Sequence, residues 1–154
     1  MVPRSVVVSS ARARYAQDIS VGPHLFRADE PYDHGGNDAG PNPYELLLAA
    51  LGACTSMTLR MYAERKQWSL QGVQVRLEHS KIHAEDCAAC DTEQAMLDRI
   101  DREISLAGDL SDDQRQRLLE IAEHCPVHRT LVSEIEIRTR LTAAGASSES
   151  GQLY

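Results

Sequence analysis

Two cysteines carry the side chains in this sequence that are best suited to chemistry. Cys54 lies in the stretch GACTS, where small neighbours leave room beside its sulfur. Cys125 lies in HCPVH, between two histidines and directly before a proline, at a predicted helix terminus. A thiol beside a cation or a helix start has a depressed pKa and a raised reactivity. Free cysteines are also often simple buried hydrophobes, and these two are far apart in the sequence, so the residues allow a thiol site without proving one.

The other two cysteines, Cys87 and Cys90, form a CAAC motif that two histidines precede, His79 and His83. These four side chains are a possible tetrahedral zinc set, although structural zinc sites usually combine two separated pairs of ligands. A CxxC pair can also be redox-active, and an ordinary polar loop can carry such thiols without any function. The sequence leaves all three interpretations open.

The element that carries Cys54 is a helix predicted over residues 41–65. Asn42 is a good N-cap, Pro43 suits the first helical position, and Glu45 completes a capping box. No charged residue occurs from position 46 to position 57. A helix that is apolar on all sides is normally buried, so we expect this one at the centre of the domain. Its charged end and its many small residues argue against a membrane span.

The chain before this helix is predicted to form strands and then a loop. Weakly alternating, partly β-branched residues over 5–27 predict a meander of two or three strands, with Arg12 and Arg14 in its first connection. Residues 29–42 are dense in Gly, Pro, Asn and Asp, a composition typical of loops. We expect this loop to deliver the chain into the central helix.

The chain after the helix is predicted to be a mixture of strands and one further helix. Apolar alternation predicts strands over 68–82 and 132–141, whereas 96–106 fits either a helix or a strand. Ser111 is the N-cap of a helix that Pro126 cannot simply continue. The expected core positions of that helix are Leu118, Leu119, Ile121 and Ala122. The fold class is therefore α+β, with half-exposed antiparallel sheet wrapped on a buried helix.

Length and charge exclude several classes of protein. A chain of 154 residues points to one domain with a real core. A formal net charge of −7 argues against a nucleic-acid partner, because phosphate binding depends on Lys and Arg. The opening apolar run is too short for a signal peptide, and no segment is expected to span a bilayer. We therefore predict a cytoplasmic protein without nucleic-acid or membrane partners, a setting in which cysteines are more often reactive or metal-binding than structural.

The stretch PNPYELLLAALGACTSMTLRMYA, followed some seventy residues later by CPVHRTL, resembles the OsmC/Ohr family of thiol peroxidases. The approach HLFRADEPYDHGGNDAGPNPYELL looks like the OsmC-like branch of that family. The resemblance implies an α+β, OsmC-like fold in which long central helices pack on curved antiparallel sheets of an intertwined homodimer. It also implies that 96–106 is a strand. A single OsmC-like domain is then expected over residues 1–141, with a mobile C-terminal tail over 142–154.

The same resemblance assigns roles to individual residues. It implies that Cys54 is the peroxidatic cysteine and that Cys125 is the resolving one. The family uses an arginine from the N-terminal region, held by a glutamate near the start of the central helix, to favour the thiolate. Arg14, or else Arg12, is the candidate cation, and Glu45 is the candidate glutamate. The family's glutamate directly follows Asn-Pro, where this chain carries Tyr44 and has Glu45 one position later.

The resemblance implies a peroxidase that protects against oxidative or osmotic stress by reducing small organic hydroperoxides. No cofactor is expected, and an external dithiol would regenerate the enzyme, because a disulfide formed between the two cysteines must be reduced. The alternative is a non-catalytic OsmC-like dimer that binds a small apolar ligand or a partner protein, with or without zinc between His79 and Cys90. The departure at Tyr44 favours that alternative.

Overall fold

The computed structural model describes residues 4–83 and 96–142. Five strands, three α-helices and one short 3-10 helix follow each other in these ranges. In chain order they are β1 (Val6–Ser10), β2 (Gln17–Val21), β3 (His24–Ala28), the 3-10 helix (Tyr32–His34), α1 (Pro43–Lys66), β4 (Ser69–His83), β5 (Met96–Asp109), α2 (Asp112–Ala122) and α3 (Pro126–Leu131). The CAAC motif, and all of the predicted tail except Thr142, lie outside the described residues.

The first three strands form an antiparallel sheet in the order β1, β2, β3. Val8 pairs with Ile19, and Ile19 pairs in turn with Phe26. The meander predicted for this region is therefore confirmed, and its first connection carries Arg12 and Arg14 as expected.

Helix α1 begins where the capping signals place it. The Asn42 side chain accepts a hydrogen bond from the Glu45 backbone N–H at 2.9 Å, and Glu45 Oε2 accepts one from the Asn42 N–H at 2.8 Å. The helix ends at Gln67, which adopts the left-handed conformation with φ of 57°. These local interactions satisfy backbone groups that no further helical turn can reach.

The burial of α1 differs from the expectation that the helix is buried on all sides. One stripe, spaced by four residues, is buried: Leu51, Thr55, Leu59 and Ala63. On the other side Met57 and Met61 keep 64% and 69% of their surface exposed. The cause is that one chain supplies packing partners for one face of the helix only. By length and composition α1 could also cross a bilayer, a property that core helices of soluble proteins share.

Strands β4 and β5 form a long antiparallel pair that supports α1. Val73, Val75, Leu77 and His79 share the half-buried face of β4, as predicted. The helix approaches this face closely at Gly52, because a Cβ there would lie 2.8 Å from Leu77 Cδ1. The segment over 96–106 is part of β5, so the strand that the family resemblance implied is confirmed and the helical alternative is wrong.

The main core lies between α1, the β4–β5 pair and α2. Its buried members are Leu59, Ala63, Leu110, Leu118, Ile121 and Ala122. Helix α2 starts with the predicted cap, since Ser111 Oγ accepts a hydrogen bond from the Gln114 N–H at 3.2 Å. The prediction that Leu119 belongs to the core is wrong: the residue is 50% exposed, and it lines a cavity beside Ile104 and Leu106 of β5.

The strand predicted over 132–141 is also wrong for the single chain. These residues follow α3 without regular structure, and Ile135 and Ile137 are 55% and 83% exposed. Their alternation is suited to a sheet, but a strand exists only when a neighbour completes its ladder of hydrogen bonds. Within the described residues this segment has no such neighbour.

Candidate thiol site

Two elements bring Cys54 and Cys125 together. Cys54 lies in the middle of α1, and Cys125 is the N-cap of α3, which packs against α1. Cys54 lies close enough to Cys125 to help lower the pKa of its thiol, and both cysteines are free. Cys54 is half-buried, whereas Cys125 is fully buried. The site therefore has one accessible sulfur and one protected sulfur in contact with it.

The local sequence explains why Cys125 takes this position. Pro126 cannot continue α2 but suits the first position of a new helix, so Cys125 becomes its N-cap with extended backbone angles. The His128 backbone N–H then donates to Cys125 Sγ at 3.3 Å. A helix start of this kind favours negative charge on the capping atom.

The second contact of Cys125 Sγ is the hydroxyl of Thr55, at 3.8 Å. Thr55 is fully buried and its hydroxyl donates to the Leu51 carbonyl at 2.8 Å. The same oxygen accepts a hydrogen bond from Arg102 Nη1 at 3.1 Å. Thr55 therefore connects the buried thiol to a guanidinium group.

Arg102 reaches the site from β5 and its side chain is only 10% exposed. Its Nη2 donates to Glu123 Oε1 at 2.7 Å, and its Nη1 also lies 3.4 Å from the Ala122 carbonyl. The other oxygen of Glu123 lies 3.2 Å from His128 Nε2. Arg102, Glu123, His128, Cys125 and Thr55 thus form a closed ring of contacts.

This environment lowers the pKa of Cys125 below its usual value. Burial is the largest single influence and raises the pKa, because it disfavours the thiolate. The hydrogen bonds from the His128 backbone, Cys54 and Thr55, together with the positive charge of Arg102, more than offset burial. The thiol that lies deeper in the protein is therefore the one whose thiolate is stabilised.

A cavity of about 410 Å³ lies against this ring of contacts. Arg102, Glu123 and His128 line its charged side, and Leu51 and Leu131 contribute apolar surface. Its size falls in the range of pockets that accept small organic molecules.

The structure gives the other predicted site residues different partners. Glu45 Oε2 is engaged in the capping box of α1. The Arg14 guanidinium lies over the ring of Tyr15, 4.9 Å from its centre, in the connection that also contains Arg12. Of the four side chains proposed for catalysis, the described residues of one chain therefore bring together the two cysteines.

Sequence reasoning missed Arg102 and Glu123. The signal for Arg102 was present, because it falls on the inward, apolar face of β5 between Ile100 and Ile104. A charged residue at an inward position of an alternating strand needs a partner. Glu123 follows the last turn of α2 and carries no comparable pattern.

The structure describes only two of the four residues of the predicted zinc site, His79 and His83. His79 stacks on Tyr44 with ring centres 4.5 Å apart, and its Nε2 lies 2.8 Å from Asp98 Oδ1. Among residues 4–83 and 96–142, no group of three or more His, Cys, Asp and Glu side chains could hold a metal ion. Cys87 and Cys90 lie outside those ranges, so the four-ligand site stays a prediction.

Comparison with known proteins gives a family and a fold. A family model described as "OsmC-like protein" matches residues 35–140, which include both thiols. No curated protein sequence matches the chain significantly.

Several solved structures are similar to this fold. An organic hydroperoxide resistance protein OsmC from Legionella pneumophila is 19% identical with a TM-score of 0.62, covering 86% of this chain and 90% of its own. An OsmC-like protein from Mycoplasma pneumoniae is 17% identical with a TM-score of 0.66, covering 84% and 86%. The organic hydroperoxide resistance protein OhrB of Bacillus subtilis is 19% identical with a TM-score of 0.58, covering 84% and 90%. The likeness confirms the α+β fold class expected from the resemblance.

Proposed function

Because the chain belongs to the OsmC-like protein family, we propose that it is a thiol-dependent peroxidase that reduces organic hydroperoxides. The observation that carries this proposal is the proximity of half-buried Cys54 on α1 to buried Cys125 at the start of α3, since the two helices pack together and Cys54 helps to lower the pKa of the Cys125 thiol. A peroxide can approach the more accessible sulfur of Cys54, and the sulfur of Cys125 lies close enough to react with Cys54 afterwards. The names of solved structures with this fold, which include organic hydroperoxide resistance proteins, point to the same substrate class.

The proposed first step oxidises Cys54. Its thiolate attacks one oxygen of the hydroperoxide, so that a sulfur–oxygen bond forms and the oxygen–oxygen bond breaks. The leaving alkoxide takes a proton and departs as an alcohol. Cys54 is then a sulfenic acid, the first level of reversible cysteine oxidation.

The proposed second step closes a disulfide. The Cys125 thiolate attacks the Cys54 sulfur, the sulfur–oxygen bond breaks, and the leaving hydroxide is protonated to water. An external dithiol then reduces the disulfide and becomes oxidised itself. A reducing compartment such as the cytoplasm supplies reductants of this kind.

We further propose that the protein is a homodimer. The exposed side of α1 is an apolar stripe that includes Leu47, Met57 and Met61, and exposed apolar stripes of this kind mark interaction sites. The strand-like segment over 132–141 has its alternating apolar side chains exposed. A second copy would cover the helix face and complete a sheet with this segment.

In this proposal Arg14 and Glu45 act on Cys54 only in the dimer. Arg14 lies at the edge of the N-terminal sheet, so it would reach Cys54 of the second subunit and favour its thiolate. Glu45 would orient Arg14 with the carboxylate that also caps α1. Tyr44 occupies the position of the family's glutamate and stacks on His79 instead.

The test of the function is a map of the thiols after reaction. Fully reduced protein is mixed with a slight excess of cumene hydroperoxide, alkylated and digested, beside Cys54→Ser, Cys125→Ser and the control Cys87→Ser/Cys90→Ser. We expect a rapid Cys54–Cys125 disulfide in the parent and in the control, and a sulfenic acid on Cys54 in Cys125→Ser. A Cys54 thiol that stays alkylatable, or oxidises no faster than free cysteine, would favour the ligand-binding alternative.

A further inference from the structure

We propose that Arg102, clamped by Glu123 and joined to Cys125 through Thr55, is a positioning residue that holds the second thiol for attack on an oxidised Cys54. This proposal rests on the proposed peroxidase function for its chemical consequence. The contacts that carry it lie within one chain and involve none of the N-terminal arginines.

The geometry leaves Arg102 little freedom. Its guanidinium donates to Thr55 Oγ1 at 3.1 Å and to Glu123 Oε1 at 2.7 Å, and its side chain is 10% exposed. Arginine presents its donors in a rigid planar fork, so two partners on different elements fix its orientation. The guanidinium therefore ties β5 to α1 and to the residue that follows α2.

Thr55 connects the fixed guanidinium of Arg102 to the sulfur of Cys125. Its hydroxyl is anchored on the Leu51 carbonyl at 2.8 Å, one helical turn earlier, and lies 3.8 Å from Cys125 Sγ. Since the oxygen also accepts from Arg102, two partners hold the hydroxyl beside the thiol. Cys125 Sγ is thus fixed between Thr55 and the His128 backbone N–H.

The groups around Cys125 come from β5, α1 and α3 and from the turn after α2. Arg102 on β5 is positive, while Glu123 is negative and divides its two oxygens between Arg102 and His128. Cys54 is the neighbouring thiol from α1, and it helps to lower the pKa of Cys125. Removal of the guanidinium would leave the Glu123 carboxylate without its arginine partner, so the Cys125 thiolate would become less favourable.

The loss of Arg102 should mainly affect the second chemical step, the formation of the disulfide. There the Cys125 thiolate forms the sulfur–sulfur bond, the sulfur–oxygen bond of the Cys54 sulfenic acid breaks, and hydroxide leaves. A Cys125 that is misplaced or protonated attacks more slowly. Attack of Cys54 on the hydroperoxide, by contrast, forms no bond to Cys125, so this first step should depend less on Arg102 than the second does.

The first experiment measures Cys125 alone and uses no peroxide. In a background of Cys54→Ser, Cys87→Ser and Cys90→Ser, the thiolate absorbance is titrated against pH. We expect Arg102→Met to raise the midpoint by about one pH unit, which is about tenfold less thiolate below the midpoint. Arg102→Lys should restore part of the shift. The matched control is Arg99→Met on the same strand, whose side chain is 53% exposed and paired with Asp101, and it should leave the midpoint unchanged.

The second experiment separates the two steps in the otherwise wild-type chain. Sulfenic acid formation and disulfide closure are followed by rapid quenching with a sulfenic-acid trap after cumene hydroperoxide. We expect Arg102→Met to slow closure about tenfold and to slow Cys54 oxidation much less. Equal slowing of both steps, or an unshifted midpoint in the first experiment, would overturn the assignment.

Failure of this proposal can be distinguished from failure of the proposed function. A parent protein inert to hydroperoxides would overturn the peroxidase, yet the titration would still report whether Arg102 controls Cys125. Should Arg102→Met not fold, Thr55→Val breaks the same link with nearly the same side-chain shape. We expect this variant to raise the midpoint as well, and an unchanged midpoint would count against the link through Thr55.

Discussion

At the scale of single residues, Cys125 combines complete burial with a lowered pKa. Burial alone would keep the thiol neutral, so the lowered pKa reports the donors and the cation around the sulfur. The donors come from α1 and α3, and the cation, Arg102, comes from β5. A resolving thiol benefits from this setting, because it is protected from bulk oxidants and still able to attack a neighbouring sulfur.

The lowered pKa of Cys125 predicts how stability depends on pH. The folded state gives up the thiol proton at a lower pH than the unfolded chain does, so the unfolded chain binds more protons between the two pKa values. The free energy of unfolding of the reduced protein should therefore rise with pH up to the unfolded thiol pKa of about 8.5, and this contribution should be lost as pH falls through the folded pKa.

Urea unfolding under reducing conditions at a series of pH values measures this effect. The difference in free energy of unfolding between the parent protein and Cys125→Ser should grow with pH in the interval below about 8.5 and then level off. Parallel curves for the two proteins over that interval would contradict the stabilised thiolate.

At the scale of secondary-structure elements, α1 depends on its first turn. Asn42 and Glu45 satisfy one another's backbone N–H groups, and the helix then carries Cys54 to the middle of the domain. An error at the start of this helix would displace the thiol relative to α3. Its capping residues therefore support the site as well as the fold.

Asn42→Ala should lower the free energy of unfolding by about 1 kcal/mol, because it removes the side-chain acceptor of the capping box. Glu45→Gln retains an oxygen acceptor at the same position and should leave stability nearly unchanged. In the proposed dimer, however, loss of the Glu45 charge should slow the oxidation of Cys54. Denaturant unfolding and the rate of sulfenic acid formation test the two effects separately, and an unchanged oxidation rate in Glu45→Gln would restrict this residue to capping.

Helix α2 offers a matched pair of core and surface leucines. Leu118 is fully buried, whereas its neighbour Leu119 is 50% exposed. Leu118→Ala should lower the free energy of unfolding by about 2–5 kcal/mol, because it opens a cavity in the main core. Leu119→Ala should cost much less in the same denaturation experiment, and similar losses for both variants would contradict the orientation of α2.

At the scale of the whole molecule, two surfaces of the chain have the composition of an interior. One is the exposed stripe of α1, and the other is the segment over 132–141 with Ile135 and Ile137 exposed. Both surfaces show the pattern that the sequence assigned to buried elements. In the proposed dimer a second copy of the chain would cover both surfaces and bring an N-terminal arginine towards Cys54.

The proposed dimer predicts that charged substitutions in the exposed stripe of α1 lower the molecular mass in solution, in a way that depends on protein concentration. Met57→Glu/Met61→Glu should convert the dimer into a monomer or a much weaker dimer, because the carboxylates would be buried without partners. Arg65→Glu, at the exposed end of the same helix, is the control and should remain dimeric. Light scattering coupled to gel filtration measures the mass, and a monomeric parent protein would overturn the proposed assembly.

Several features of the secondary structure follow from the local sequence alone. The capping box of α1, the alternation of β4 and the proline that makes Cys125 an N-cap all act over a few residues, so they could be predicted without tertiary structure. The assignment of residues 96–106 to a strand required the family resemblance as well, because their apolar pattern fits two periods.

Only the tertiary structure decided which distant residues meet. It placed Cys54 close to Cys125 and brought Arg102 into contact with Thr55. It also left Leu119 half-exposed, and the residues over 132–141 have no strand partner in the single chain. Each of these outcomes depends on contacts between elements that are remote in the sequence. Spacing along the chain carries no information on such contacts, because they form only when helices and strands pack around a common core.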